Sequence, residues 1–421
     1  MTSPWWHTVP PPPPPPQIFT SPIERLTAVG SRLIDNHGQE VLLRGLNMQW
    51  RLGSSTDRPR FWDDAMLRMA PGVNSLRLVA LHWDDNKGDH DCYAAEPPHL
   101  KQECMDQLED ILTWSTAKGL WAVVTLRGER AATTIFTGAG KARKQELLVA
   151  WAWVAGQLRG RHRIAGYEVL SEPRISSNEG WWVGDYYSRC CGAVQAADPG
   201  TACFVGPAPY YSLDELEATW NNGLQSLRNV VWLVNFFVPK AFVMNETDSA
   251  TPLTYPSTMR CVDVYTNDHI CKASAGKPGL LRPMRIDSAF LRSELLKAVH
   301  FRDAHQVPVL LDQWGVRRSA GQGRAAYLAD VGALTNELQL PWMLWLGRDF
   351  VRSDGDYGSG YGLMSVVTPA SSLGSEDKKA KPSLVWDKEI LTQLAPFLGV
   401  TSEAQAQTER SQDTYKTQRG P

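Results

Sequence analysis

The chain has 421 residues, 43% of them hydrophobic, and a formal net charge of −2. That length and apolar content suit one large domain or two ordinary ones with a real core. The near-zero charge supplies no basic field, which argues against a nucleic-acid partner.

Met1 to Val9 has neither a positive n-region nor an apolar h-region, and no apolar run approaches the 18 residues of a membrane span. These features predict an intracellular protein, or a secreted one if the N-terminus is already processed. Seven cysteines without a Cys-x-x-Cys spacing make a zinc site unexpected. Free thiols in a reducing compartment are the expectation, with Cys261–Cys271 as one conceivable pair. No cofactor is implied. Pro10–Pro16 is a polyproline II arm, read as a spacer or as a ligand for an aromatic-lined groove on a protein partner. Residues 399–421 form a polar tail, again a candidate partner contact.

Between arm (1–27) and tail, strands and helices alternate over 28–398. Ser31 to Leu43 reads as a hairpin turning near His37-Gly38. Arg44–Met48 is the first core strand, followed by a helix over Phe61–Met69 and a second strand over Asn74–Leu81. An amphipathic helix over Leu100–Lys118 ends at Gly119. Leu120–Leu126 is the third strand, Gln145–Leu158 a helix, and Ile164–Pro173 the fourth strand, ending on Glu172. Ala202–Gly206 and Val230–Phe237 are the fifth and sixth strands. Met244–Pro283 lacks periodicity and reads as a long loop over the cleft. Ser288–Ala304 is a helix, Val307–Gln313 the seventh strand, Arg324–Leu338 a helix, and Trp342–Leu346 the eighth strand. Eight strands alternating with helices predict an α/β fold, a single-domain (β/α)8 TIM barrel with loop insertions. A doubly wound sheet shares the alternation, but no Gly-x-Gly-x-x-Gly follows the first strand.

The fourth strand is the centre of interest. Alternation puts Glu168, Leu170 and Glu172 on one face, with Glu172 at the barrel mouth and Glu168 deeper. A carboxylate at the C-terminal end of a barrel strand occupies the usual place for chemistry. A solvated strand-end glutamate would fit those residues equally well. The 17 tryptophans suit either an aromatic core or stacking on sugar rings, for which Trp50, Trp83, Trp314 and Trp345 are candidates.

Six segments, in order, carry a family resemblance. Arg44-Gly45-Leu46-Asn47 is similar to Arg-Gly-Ile/Val-Asn, and Gly72-Val73-Asn74-Ser75-Leu76-Arg77 to Gly-Phe-Asn-x-Val-Arg. Gly166 to Pro173 resembles Gly-Tyr-Glu-Leu-x-Asn-Glu-Pro. Val234 to Phe242 follows Phe-His-Phe-Tyr-Glu-Pro-Phe-x-Phe. Val307 to Gly315 follows Val-Pro-Val-x-x-Gly-Glu-Phe-Gly, and Leu344 to Arg348 resembles Tyr-Trp-x-Tyr-Arg. Together they resemble glycoside hydrolase family 5, the cellulase-type barrels that cleave β-linked polysaccharides. The resemblance implies two glutamates, an acid/base after strand four and a nucleophile after strand seven. Retaining hydrolysis needs their carboxyls about 5–5.5 Å apart. Glu172 matches the acid/base, and the nucleophile position holds Gln313.

An amide can neither form the glycosyl ester nor stabilise an oxocarbenium-like charge as a carboxylate does. Arg127 stands where the family has a histidine, Ser171 for its asparagine, Asn235 for its second histidine and Phe237 for its tyrosine. Arg77, Glu172 and Trp345 remain as the family has them. Five departures imply natural loss of hydrolysis rather than one trapping exchange. Alternation directs Asp312 away from Gln313. Glu129 could reach the mouth, though a loop ion pair with Arg127 or Arg130 explains it as well. The expected function is that of a structural or scaffolding pseudoenzyme. The alternatives are a lectin-like carbohydrate binder and a surviving endo-β-glucanase or mannanase with an unorthodox nucleophile.

Overall fold

The computed structural model describes residues 23–49, 60–82, 92–94, 99–127, 141–175, 180–245, 253–259, 283–352, 360–368 and 383–400. Eight parallel strands close into a barrel: β1 (Arg44–Gln49), β2 (Ser75–His82), β3 (Trp121–Arg127), β4 (Ile164–Glu168), β5 (Ala202–Val205), β6 (Val230–Phe236), β7 (Val309–Trp314) and β8 (Trp342–Leu344). Each strand pairs with its neighbour in sequence, and β8 closes on β1 through Trp342↔Arg44 and Leu344↔Leu46. The predicted TIM barrel is therefore the observed fold.

The connecting helices are α1 (Arg60–Met69), α2 (Gln102–Ala117), α3 (Lys141–Gln157), α4 (Gly180–Ala197), α5 (Leu216–Trp220), α6 (Ser288–His305), α7 (Arg324–Glu337) and α8 (Lys388–Gln393). Helix α6 starts where Asp287 accepts a hydrogen bond from the Phe290 N–H, relieving one unpaired donor of the first turn. Alternate strand residues point outward, so Val309, Leu311 and Trp314 pack against the helices. Leu310, Val123, Leu233, Phe204 and Met343 fill the barrel.

The lower end is stoppered by a hairpin of Leu26–Val29 against Arg32–Asp35, whose Leu26 and Leu33 join that interior cluster. Its turn is at Gly30. The expected hairpin at His37-Gly38 follows directly: Ile34 bridges Glu40, the Val41 N–H donates to the Leu33 carbonyl, and Asp35 Oδ1 holds the turn by accepting from the His37 and Gln39 N–H groups. The expected loop 244–283 contains a short strand, Ser257–Met259, paired with Met284–Ile286. Beyond β8, Arg348–Arg352, Met364–Thr368 and Ser383–Trp386 form a small three-stranded sheet outside the predicted elements.

The free-thiol expectation is overturned. Cys92 is bonded to Cys104 and Cys191 to Cys203, while Cys190 is free and buried. The signal missed is proximity created by the fold: Cys191 on α4 lies over Cys203 on the following strand β5. Cys261 and Cys271 lie outside the described residues, as do Trp50, Trp83, Glu129, Pro10–Pro16 and the 401–421 tail. Among the described residues no helix is long and apolar enough to cross a membrane.

Candidate active site at the barrel mouth

The upper interior of the barrel is a polar layer. Asn47, Arg77, Thr125, Glu168 and Asp312 stand one strand step above Gly45, Ser75, Val123, Gly166 and Leu310, and they turn inward with them. At the layer's centre is Arg77, 1% exposed. Its Nε and Nη2 donate to Glu168 Oε2 and Oε1 at 2.6 and 2.7 Å, a bidentate pair. Nη1 donates to Asn47 Oδ1 at 2.7 Å, and Nη2 also to Ser171 Oγ at 2.8 Å. Thr125 Oγ1 adds a hydrogen bond to Glu168 Oε2 at 2.8 Å. The Tyr211 hydroxyl, 3.0 Å from Glu168 Oε1 and 2.5 Å from the Leu170 carbonyl, completes the shell. Gly206 lets that ring approach, since a Cβ there would meet it at 2.3 Å.

Asp312 is the residue the sequence misplaced. Strict alternation would send it to the opposite face from Gln313. Instead the ladder between β6 and β7 skips it: Val234 pairs with Leu311 and Asn235 with Gln313. This bulge turns two consecutive side chains inward. Asp312 Oδ1 lies 2.8 Å from Arg77 Nε, and the residue has no exposed surface. The Nε–H points at Glu168, so Asp312 gains charge attraction without an aligned hydrogen bond, and both its oxygens are unbonded among the described residues. One guanidinium thus faces two buried carboxylates. Burial first, then Glu168 and Glu172 nearby, push the Asp312 pKa well above the carboxylate range against the pull of Arg77. For Arg77 itself, burial disfavours the charge, but Asp312 and Glu168 outweigh it and raise the pKa.

Stability should depend on pH through this group. A carboxyl whose folded pKa is raised contributes stability below its unfolded pKa of about 3.9, and that contribution fades as pH climbs through the folded value. Asp312→Asn removes the titration. Denaturant unfolding between pH 4 and 9 should show the variant gaining on the wild type as pH rises. Two curves that stay parallel would rule out a protonated Asp312.

Above the polar layer is the cleft floor. Strand β4 ends at Glu168, earlier than the sequence predicts, and Glu172 sits in the loop beyond it with φ of 49°. That left-handed backbone is disfavoured for a non-glycine residue and is held by its surroundings. The Val169 carbonyl accepts from Trp151 Nε1 and the Tyr186 hydroxyl, both at 2.9 Å. The Leu170 carbonyl is bound by Tyr211, and the Pro173 carbonyl accepts from the Tyr210 N–H at 3.0 Å. Glu172 therefore reaches the mouth by loop geometry rather than by parity. Glu168 is fully buried, as its deeper position predicts.

Glu172 Oε1 accepts two amide hydrogen bonds, from Asn235 Nδ2 at 2.6 Å and from Gln313 Nε2 at 3.0 Å. Glu172 and Gln313, the pair singled out by the sequence resemblance, are thus in direct contact, joined by an amide. Gln313 is 5% exposed and Glu172 half-buried, while Asp312 and Glu168 are inaccessible. Among the described residues gathered here, only Glu172 offers a carboxylate to the cleft.

The other candidates are distributed around this pair. Ser171, 7% exposed, faces down to Arg77. Arg77 lies below the floor, so any influence on a ligand passes through Ser171 and Glu168. Phe237 is partly buried and meets Tyr361 edge-on at 5.8 Å. Trp345, 9% exposed, packs with Val79, Leu346 and Tyr361. Trp314 has no exposed surface and stands perpendicular to Trp342 behind the barrel wall, which removes it as a stacking platform. The Arg127 backbone ends β3, opposite His82. Among the described residues no group of three or more His, Cys, Asp or Glu could hold a metal ion.

Comparison with known proteins places this geometry. The family model described as cellulase, glycosyl hydrolase family 5, matches residues 34–350. The cellulase/esterase CelE of Acetivibrio thermocellus is 24% identical over 195 residues, covering 41% of this chain and 23% of that protein. The chain thus matches under a quarter of that relative's length. Among solved structures, a broad-specificity endoglucanase from a Clostridium superposes with a TM-score of 0.59 and 15% identity, covering 86% of this chain and 97% of that one. Thermotoga maritima Cel5A in complex with cellobiose gives 0.56 and 14%, covering 84% and 97%. The cellulose synthase subunit Z of Clostridioides difficile gives 0.57 and 16%, covering 84% and 99%. At these identities the structural likeness speaks for the fold.

Proposed function

Since the chain belongs to the cellulase family, glycosyl hydrolase family 5, we propose that its cleft holds a β-linked polysaccharide without cleaving it, as a non-hydrolysing structural component of a larger assembly. The observation that carries this is the hydrogen bond from Gln313 Nε2 to Glu172 Oε1 at 3.0 Å. Retaining hydrolysis needs a second carboxylate opposite the first. Here the second group is an amide that donates to the first. The nearest substitutes, Asp312 and Glu168, have no surface from which to attack an anomeric carbon.

What remains suits recognition. A carboxylate fixed by two amides, with Tyr210, Phe237 and Trp345 around it, offers hydroxyl-bonding and ring-covering groups for a sugar. Structures of Thermotoga maritima Cel5A in complex with cellobiose and mannotriose support the ligand class at the level of the shared fold. The name of the clostridial cellulose synthase subunit supports, at the same level, a barrel serving within a larger machine. The Pro10–Pro16 arm and the polar tail are assigned to protein partners. The two disulfides support an oxidising compartment over the intracellular one expected from the N-terminus.

The test is an incubation of the full chain with β-glucans, mannans and aryl β-glycosides, with binding to the same polysaccharides measured in parallel. Retention without release of reducing ends or aglycone is expected. Turnover that Glu172→Ala abolishes would replace this reading with that of a working hydrolase.

A further inference from the structure

We propose that Asn245 is a site of N-linked glycosylation at the edge of the cleft. The assignment rests on the oxidising compartment read above from the two disulfides. Asn245-Glu246-Thr247 is an Asn-x-Thr acceptor sequence with no proline between. No other asparagine in the chain has serine or threonine two positions on. Thr247 lies outside the described residues, and the geometry of the acceptor is that of Asn245.

Asn245 is presented to solvent on a fixed support. It follows the one-turn helix Lys240–Val243 and its cap Met244, and it is exposed. Its φ of 52° is left-handed, the conformation in which asparagine stands in for glycine just past a helix end. Its N–H donates to the Phe242 carbonyl at 3.2 Å, closing that turn. Ala241, Phe242 and Val243 are buried beneath. The Arg317 N–H donates to the Val243 carbonyl at 2.9 Å, and Arg317 Nη1 to the Met244 carbonyl at 3.1 Å, so β7 holds the support from the side. Among the described residues none hydrogen-bonds the Asn245 side-chain amide, whereas Asn47, Asn74 and Asn235 commit theirs to the barrel and its mouth.

The compartment that forms the disulfides supplies the co-reactant, an oligosaccharide carried on a lipid diphosphate. Asn245 Nδ2 bonds to the anomeric carbon as the bond from that carbon to the diphosphate oxygen breaks. The diphosphate leaves with the electron pair, and the amide nitrogen gives up one proton. Met244 and Phe237 pack against the cluster of Trp345, Leu346 and Tyr361. The glycan therefore stands at the β6–β7 edge of the mouth, where its hydrated bulk keeps protein surfaces off that side of the cleft.

The full chain, expressed in its native cells, is weighed by intact mass before and after peptide-N-glycosidase treatment, with free thiols counted in parallel. One N-glycan is expected, released by the enzyme with deamidation at position 245. Thr247→Ala, which leaves Asn245 unchanged, and Asn245→Gln should each lose the whole mass shift, while Thr247→Ser keeps it. A wild-type chain with both disulfides formed and no glycan overturns the site and leaves the compartment reading intact. A glycan that survives Thr247→Ala overturns the assignment to Asn245. Reduced thiols together with no glycan overturn both readings.

Discussion

Gln313→Glu is expected to confer retaining hydrolysis of activated aryl β-glycosides, raising the rate on the order of 10³-fold over the wild-type background. The geometry for this is in place. Gln313 Nε2 and Glu172 Oε1 are 3.0 Å apart. With each carboxyl carbon about 1.2 Å behind its oxygen, a glutamate in the same rotamer would place the two carboxyl carbons at most about 5.4 Å apart, so a small rotation of either side chain would open them to the retaining separation. The introduced carboxylate would attack the anomeric carbon as the bond to the aryl oxide breaks, and the oxide would leave with the electron pair. Glu172 would then take a proton from the water that hydrolyses the ester. Two carboxylates so close cannot both ionise freely, so the new activity should be bell-shaped in pH, with apparent pKa values belonging to the pair. The changed surroundings at Ser171, Asn235 and Phe237 keep the gain below that of a complete site. A 2-deoxy-2-fluoro glycoside should label the variant covalently at position 313. No turnover and no label would show that the site has lost more than its nucleophile.

The largest effect on stability is expected from Arg77→Met. Among the described residues Arg77 is the cation between Glu168 and Asp312, all three being at most 1% exposed. Removing one partner of a buried charge cluster costs about 3–5 kcal/mol, because the remaining charge stays buried without compensation. Here Glu168 would lose its bidentate partner beside Asp312, whose raised pKa already favours its neutral form, with Asn47 and Ser171 each losing a donor. Urea unfolding should show the midpoint falling accordingly, and adding Glu168→Gln and Asp312→Asn should return part of the loss. Lysine would be a poor substitute, since Glu168 is gripped through two nitrogens of one planar fork. A loss below about 1 kcal/mol would mean that the buried pair with Glu168 contributes little to the fold.

The barrel was legible because its signals are local and repeated: strand-length apolar runs, helices of the right spacing, and Gly119 with φ of 73° at the end of α2. The Glu172–Gln313 pairing was legible through family motifs, and the structure brings the two side chains into contact. Asp312 was not. Its direction depends on a one-residue slip in the ladder, and no property of the residues 309–314 themselves announces a bulge. The aspartate standing where the family motif has glycine was the available hint. Tyr210 escaped notice for a related reason: its left-handed backbone follows from contacts with Pro173 and Asn235, which are distant in sequence. Trp314 was misread because an aromatic at a strand end looks alike whether it faces the cleft or the helices.

The hairpin that stoppers the barrel has a kinetic consequence. Among the described residues Leu26 and Leu33 seal the lower end beneath the apolar interior cluster, so a proton exchanging at Asp312 would pass upward. That route runs past Gln313 and Glu172, the groups that would meet a ligand. A saccharide in the cleft would therefore act as a cork, slowing proton traffic to the buried carboxyl without touching it. Occupancy of the mouth and the protonation clock of the interior would then be coupled by access alone.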